Sequence, residues 1–408
     1  MPHSNITSHF KNFDSLDSLK PFKSSSTNSL KIVKYKNNAK PEFNADEYWN
    51  HYCRGLIMDM DVNQIVCIPT PKSIDISHLK STLFDSGAVQ VSVELILDGT
   101  MINVFYHNDE WKISTRSVIG GECRWTSQKT FKSLFAEIIG EHLLEFYEEL
   151  SKDTCYTFVM RHKENRIVSP VECNCLYLVD AHKFCSDGSI SKLNIHELED
   201  GFCYNTIPLL YSIYMEPGQV NEESYNNILD IVYDNMNNNK EYHWQGLVVR
   251  INEYRFNFKS EEYKKVTALK SNSSNPLYTY IDQRYNGLLP EYLKYFPEKQ
   301  HDYAQYRDKI HIMTQELYDF YCSTFKQKTT NLKTDVPYQL KPLCYELHGL
   351  YLADKKPIHF KIVQDFVNKL VPQRLYFVIK FYFTYCKPQD NVHIHFNEIE
   401  EGEIMEEP

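Results

Sequence analysis

The sequence predicts an α+β protein with two folded parts. The first is a mixed domain of antiparallel sheets with flanking helices over residues 30–272, and the second is an all-α domain over 276–392. Three observations lead there. Short apolar runs end at turn dipeptides such as Asp98-Gly99 and Asn108-Asp109, the usual punctuation of strands. Phe131, Leu134, Phe135, Ile138 and Ile139 recur at the spacing of one helix face. Beyond residue 275 the strand signals give way to Tyr-, Leu- and Lys-rich stretches with helical period.

Composition bounds the class. A chain of 408 residues exceeds one ordinary domain. Hydrophobic residues at 42% suffice for two cores, and 13 glycines are too few for a loop-dominated all-β protein. No secretory h-region follows the first residues and no apolar run reaches the ~18 residues of a membrane span, so the 11 cysteines are expected reduced, in an intracellular, cytoplasmic protein without membrane contact. Cys173-Asn174-Cys175 and His393-Ile394-His395 each lack a second ligand pair, so no metal site is expected at either. A net charge of −10 gives no global steering toward phosphate.

In chain order, residues 1–29 are Ser-, Asn- and Lys-rich and read as a disordered lead-in. Strands are expected at Gly55–Asp59 and Val89–Leu97, and a hairpin at Met101–Tyr106 and Trp111–Thr115 around the Asn108-Asp109 turn. One amphipathic helix is expected over about 128–150, then strands at Tyr156–Met160 and Leu176–Asp180. A helix over Ser224–Met236 precedes a second hairpin, Gly246–Ile251 and Tyr254–Phe258, across Asn252-Glu253. Helical stretches follow at 289–325 and 337–388, joined by polar Thr329–Pro337. The end, 396–408, reads as an acidic disordered tail with six glutamates between Glu398 and Glu407.

Six short segments fall in a telling order: Cys53-Arg54-Gly55-Leu56-Ile57-Met58-Asp59; Glu94-Leu95-Ile96-Leu97-Asp98-Gly99-Thr100; Trp111 to Ser117; Tyr156 to Val168; Trp244-Gln245-Gly246-Leu247-Val248-Val249-Arg250; and Asn257-Phe258-Lys259-Ser260. Together they resemble the bacteriophage-type ATP-dependent RNA ligases of the covalent nucleotidyltransferase superfamily, found in phages and large DNA viruses. The resemblance implies a ligase-type nucleotidyltransferase domain at 30–272, an ATP and Mg²⁺ requirement, an RNA substrate and a viral origin. It also implies roles. Arg54 and Arg116 would reach phosphate or sugar, since a guanidinium offers donors in a fixed fork. Asp98 and Gly99 would form the turn that places the nucleotide, and Lys259 would neutralise its phosphates.

The same resemblance exposes losses. The family's nucleophilic lysine falls at Ile96, which has no lone pair. Its metal-binding glutamate falls at Gln245, which loses the charge but keeps a carbonyl that could bind the nucleotide's sugar or base. The first phosphate lysine falls at Asn257, and no acid precedes Arg161 in its strand. The reading is an RNA ligase-like protein without lysine adenylylation, binding nucleotide or RNA or acting as a scaffold, with no intact catalytic residue and no metal ligand. Two alternatives stand beside it. One is an active ligase with a relocated nucleophile, Lys72 or Lys259; the other is a structural or virion protein that uses no nucleotide. Tyr303, Tyr306, Tyr318, Phe320 and Tyr321, beside Arg307, Lys309 and Lys326, could stack on RNA bases or pack as core. A protein partner could dock on the helical domain or the acidic tail.

Overall fold

Period-two alternation builds this fold. Along Val89–Leu95, Val89, Val91 and Val93 are buried in one apolar core, while Ser92 and Glu94 project from the opposite face. The computed structural model describes residues 4–7, 22–36, 44–125, 127–198, 200–270 and 273–386. It divides into two compact units between Lys265 and Val266.

The first unit holds three sheets. The amino-terminal sheet runs Lys23–Thr27, Leu30–Lys34, Arg54–Asp59, Gln64–Cys67 in spatial order. The central sheet runs Leu209–Met215, Val89–Leu95, Gly246–Ile251, Tyr254–Lys259, all antiparallel. The third is seven-stranded: Ser4–Asn5, Ile190–Lys192, Cys175–Phe184, Thr154–Arg161, Thr100–His107 and Glu110–Ser114, with Tyr204–Thr206 added parallel to Cys175–Phe184.

Two cores form. One takes Ile32, Val33, Leu56 and Ile57 of the amino-terminal sheet, Val91, Val93, Leu247, Val249 and Phe256 of the central sheet, and Ile228 and Val232 of the helix Glu222–Asn238. The other takes Ile102, Val104, Phe158, Leu176 and Leu178 of the seven-stranded sheet with the helices Phe131–Ile139 and Leu143–Glu148. The seven-stranded sheet contributes to both, since Phe105, Cys155 and Ile190 belong to the first core. Polar residues of the central and seven-stranded sheets meet through the contact of Arg250 with Asp180.

Both expected hairpins form with the expected turns. Asn108 and Asp109 both adopt positive φ, the conformation that matches strand twist in a two-residue loop, and Asn252 does the same. Two expectations fail. The helix expected over 128–150 is two helices, because Gly140 takes φ 62° as the cap of the first. The lead-in is not wholly disordered, since Lys23–Thr27 pairs with Leu30–Lys34. Asn28 at φ 53° makes that turn, and a serine-rich strand is tolerated there because it is an exposed sheet edge. Across 94–100 the chain passes from one sheet to another, because Val89–Leu95 and Thr100–His107 belong to different sheets. The acidic tail at 396–408 and the pair His393 and His395 lie outside the described residues.

The second unit contains the helices Pro276–Tyr285, Leu289–Tyr295, Gln300–Tyr321, Lys341–Asp354, Phe360–Asn368 and Pro372–Tyr385. Its aromatic residues are divided between core and surface, with Tyr338, Tyr345 and Phe377 among the exposed ones. Tyr303 is 5% exposed and donates to Gln283 Oε1 at 2.9 Å, Tyr321 is buried, and Lys326 lies over the ring of Tyr318. The packing role therefore takes precedence over a stacking platform for those two tyrosines. Among the described residues, no helix is long and apolar enough to cross a membrane.

Gly246 has φ 139°, and a Cβ there would lie 2.0 Å from the Phe258 carbonyl oxygen. Gly246→Ala is expected to cost at least ~2 kcal/mol in a urea titration, because both the backbone and the contact oppose it.

Candidate functional site

Register sets the site. Gly246 pairs with Lys259, and the Ile96 amide donates to the Gly246 carbonyl at 2.9 Å. Val248 pairs with both Glu94 and Asn257, and Arg250 with both Ser92 and Arg255. Three cross-strand rows therefore lie on the polar face of the central sheet: Ile96, Gly246 and Lys259; then Glu94, Val248 and Asn257; then Ser92, Arg250 and Arg255. Three of the residues picked out in the sequence (Ile96, Asn257 and Lys259) share this face although 163 residues of sequence separate the first from the last.

The other members gather around it with unequal roles. Ile96 is 6% exposed and lines a cavity of about 30 Å³ with Val159, Val179, Val248, Arg250 and Arg255. Gly99 is required by close approach, since a Cβ would meet the Met160 carbonyl oxygen at 2.6 Å. Asp98 is not turned toward a ligand. Its Oδ2 accepts from the Val168 and Ser169 amides at 2.8 and 2.7 Å, and its Oδ1 accepts from the Tyr263 hydroxyl at 2.6 Å. Asn165 adds a bond from its Nδ2 to Thr100 Oγ1 at 2.8 Å. The Asp98-Gly99-Thr100 turn is thus clamped by the segment 165–169, and both carboxylate oxygens of Asp98 are engaged within the fold.

Arg54 and Arg116 come together through Gly55. At φ 115°, a Cβ on Gly55 would stand 3.2 Å from the Arg116 Cα. The close backbone approach thus falls at Gly55. The loop holding Ser117 is instead closed by Thr115 Oγ1, which accepts from the Ser117 and Val118 amides. Lys72 lies elsewhere: its ammonium packs over the Tyr35 ring. Gln245 is 1% exposed, and neither its Oε1 nor its Nε2 has a hydrogen-bond partner.

The sequence did not mark the strongest electrostatic feature. Arg250 bridges the two facing sheets: Nε donates to Glu94 Oε2 at 2.8 Å, Nη1 to Asp180 Oδ2 at 3.3 Å and Nη2 to the Val179 carbonyl at 2.9 Å. Ser92 Oγ and His196 Nε2 complete Glu94, and Thr70 Oγ1 donates to Asp180. Burial alone would raise both carboxyls, but the Arg250 guanidinium outweighs it. Glu94 is held well below the usual carboxylate range and Asp180 is brought down to about 2. Arg255 is pulled down to about 9 by burial and by its neighbours Arg250 and Arg54. One available signal was a lone acid within the apolar run Leu176-Tyr177-Leu178-Val179-Asp180-Ala181, since an acid in a buried strand needs a partner.

The donor set does not suit Mg²⁺. Gln245 is neutral, Glu94 is already engaged by Arg250, and no cluster of three His, Cys, Asp or Glu residues exists among the described residues. The cavity beside Ile96 is small, about 30 Å³, room for little more than water.

Three outcomes follow. Arg250→Met should cost ~3–5 kcal/mol, because it leaves two buried carboxylates uncompensated. Both carboxyls have folded pKa values below their unfolded ones. Their contribution is therefore present above about pH 5 and lost as pH falls toward 2; thermal melts across that window should show a steep acid limb that Glu94→Gln flattens. Asp98→Ala should cost ~3 kcal/mol in chemical unfolding by orphaning two buried amides.

No family model matches the chain. It is 26% identical over 136 residues to a protein of African swine fever virus described as an RNA-ligase, covering 27% of this chain and 29% of that relative. The chain thus aligns with less than a third of that relative's length. Among solved structures, a protein from Aquifex aeolicus described as an ATP-dependent DNA ligase gives a TM-score of 0.37 at 14% identity, covering 82% of this chain and 78% of the other. A Naegleria gruberi RNA ligase mutant with ATP and Mn gives 0.34 at 14% identity, covering 49% and 57%. With its six segments in order and a viral RNA-ligase as a sequence relative, the chain resembles, at a distance, the RNA ligase-like nucleotidyltransferases.

Proposed function

We propose that this protein is a ligase-like pseudoenzyme that binds RNA, or scaffolds an RNA-processing assembly, without forming a lysine–AMP intermediate. One observation carries the reading: where the family's nucleophile would stand, Ile96 presents a buried hydrocarbon to a cavity of about 30 Å³. An alkyl side chain has no electron pair to attack the α-phosphorus of ATP. The uncharged amide of Gln245 supports it, because a neutral carbonyl holds Mg²⁺ more weakly than a carboxylate does. Binding of RNA is carried over from the relatives' names and from the segment order.

A second reading rests on Lys259. It shares a cross-strand row with Gly246 and Ile96, so its amine rises from the same face as the absent nucleophile. In that reading the chain is an active ligase with a relocated lysine.

Incubation of the purified protein with α-labelled ATP and Mg²⁺, followed by a denaturing gel, separates the two. The pseudoenzyme reading expects no labelled band beside a working control ligase. An acid-labile, base-stable band that disappears in Lys259→Met would overturn it.

A further inference from the structure

The interlayer space has a second compartment. A cleft of about 300 Å³ opens at the Val89 end of the central sheet, lined among others by Gln90, Asp180, Lys192, His196 and Tyr214. Glu94, Val179 and Arg250 line both this cleft and the small cavity at Ile96. The ion bridge is therefore the partition between them.

Two residues lining the cleft carry buried acceptors without a donor. Asp180 is 1% exposed, yet its Oδ1 accepts no hydrogen bond, and Lys192 Nζ stands 4.0 Å from it. Gln90 donates through Nε2 to Ser212 Oγ at 2.6 Å, while its buried Oε1 has no donor. Lys192 Nζ donates to the Asn252 carbonyl at 3.3 Å and keeps further N–H groups for a ligand. Tyr214 is 40% exposed at the rim, where an aromatic ring can stack on a flat heterocycle. With Glu253 also in the lining, three carboxylates stand against Arg250 and Lys192, so the cleft suits an uncharged guest that donates hydrogen bonds better than an anion.

We infer that this cleft binds a guanine base, either in a free guanosine or at the end of an RNA strand. Guanine presents two adjacent N–H donors, at N1 and the 2-amine, beside the O6 acceptor. The donors answer the unpaired oxygens of Asp180 and Gln90, and O6 answers the ammonium of Lys192. Adenine and uracil offer no such donor–donor–acceptor edge. The site differs from the position of the missing nucleophile, because Ile96 lines only the other compartment.

Titration calorimetry of the full chain with guanosine, inosine and adenosine tests this. Guanosine should bind, and inosine, which lacks only the 2-amine, should bind at least ~10-fold more weakly, the cost of one hydrogen bond to a charged group. Adenosine should bind more weakly still. Lys192→Met and Tyr214→Ala, checked for folding by circular dichroism, should each weaken guanosine binding by ~10-fold or more, whereas Ile96→Ala should leave it unchanged. Short RNAs ending in guanosine or adenosine separate the sources: a preference for the guanosine end exceeding that of the free nucleoside assigns the site to RNA, and equal affinity assigns it to the nucleoside. No binding by folded protein, equal affinity for guanosine and inosine, or indifference to both cleft variants would overturn the inference.

Discussion

Two polar sheet faces meet inside this protein, and the Arg250 guanidinium is what lets them do so. It sits on the central sheet, 70 residues along the chain from Asp180 on the seven-stranded sheet, and neutralises Glu94 as well. Without such a partner the burial of two carboxylates would oppose folding. One apolar core already joins the two sheets, since Phe105, Cys155 and Ile190 of the seven-stranded sheet belong to the same cluster as Val91 and Val249 of the central sheet. The ion bridge adds a charged link between them, and it also divides the enclosed volume into a nearly filled compartment at Ile96 and an open one at Gln90.

The turn Asp98-Gly99-Thr100 is the second fixed point. There the chain leaves the central sheet for the seven-stranded one, and Asp98 holds the crossing by accepting from three groups in two distant segments. In a chain with isoleucine at the nucleophile position, this explains how a motif can persist in part. Asp98 and Gly99 are required by hydrogen bonding and close packing whatever the chemistry, whereas nothing in the fold requires an amine at residue 96. Gly55 and Gly246 belong to the same class, each being needed by the backbone that approaches it. In the ligase-like reading proposed above, the substituted positions, Ile96, Gln245 and Asn257, are the ones whose roles would be chemical.

Much of the first unit was legible in the chain. The hairpins at Asn108-Asp109 and Asn252-Glu253 were readable because two-residue turns impose positive φ, which those residue types accept. The helix break at Gly140 was missed because the apolar spacing continues toward Phe146 while the glycine reverses the backbone. The strand Lys23–Thr27 was missed because its serines carry no apolar alternation; its partner Leu30–Lys34 and the turn at Asn28 make it a strand. The tyrosines of the second unit were ambiguous, since helical spacing alone does not say which face is covered.

The sequence by itself determined the local elements, the order of the six segments and the absence of an amine at residue 96, because each depends on residue type and near neighbours. Tertiary structure alone decided which of those residues share a face, that Asp98 clamps the chain, and that Glu94, Asp180 and Arg250 neutralise one another. The physical reason is that pairing register and charge compensation join positions far apart along the chain, and no local pattern encodes which buried acid will meet which buried base.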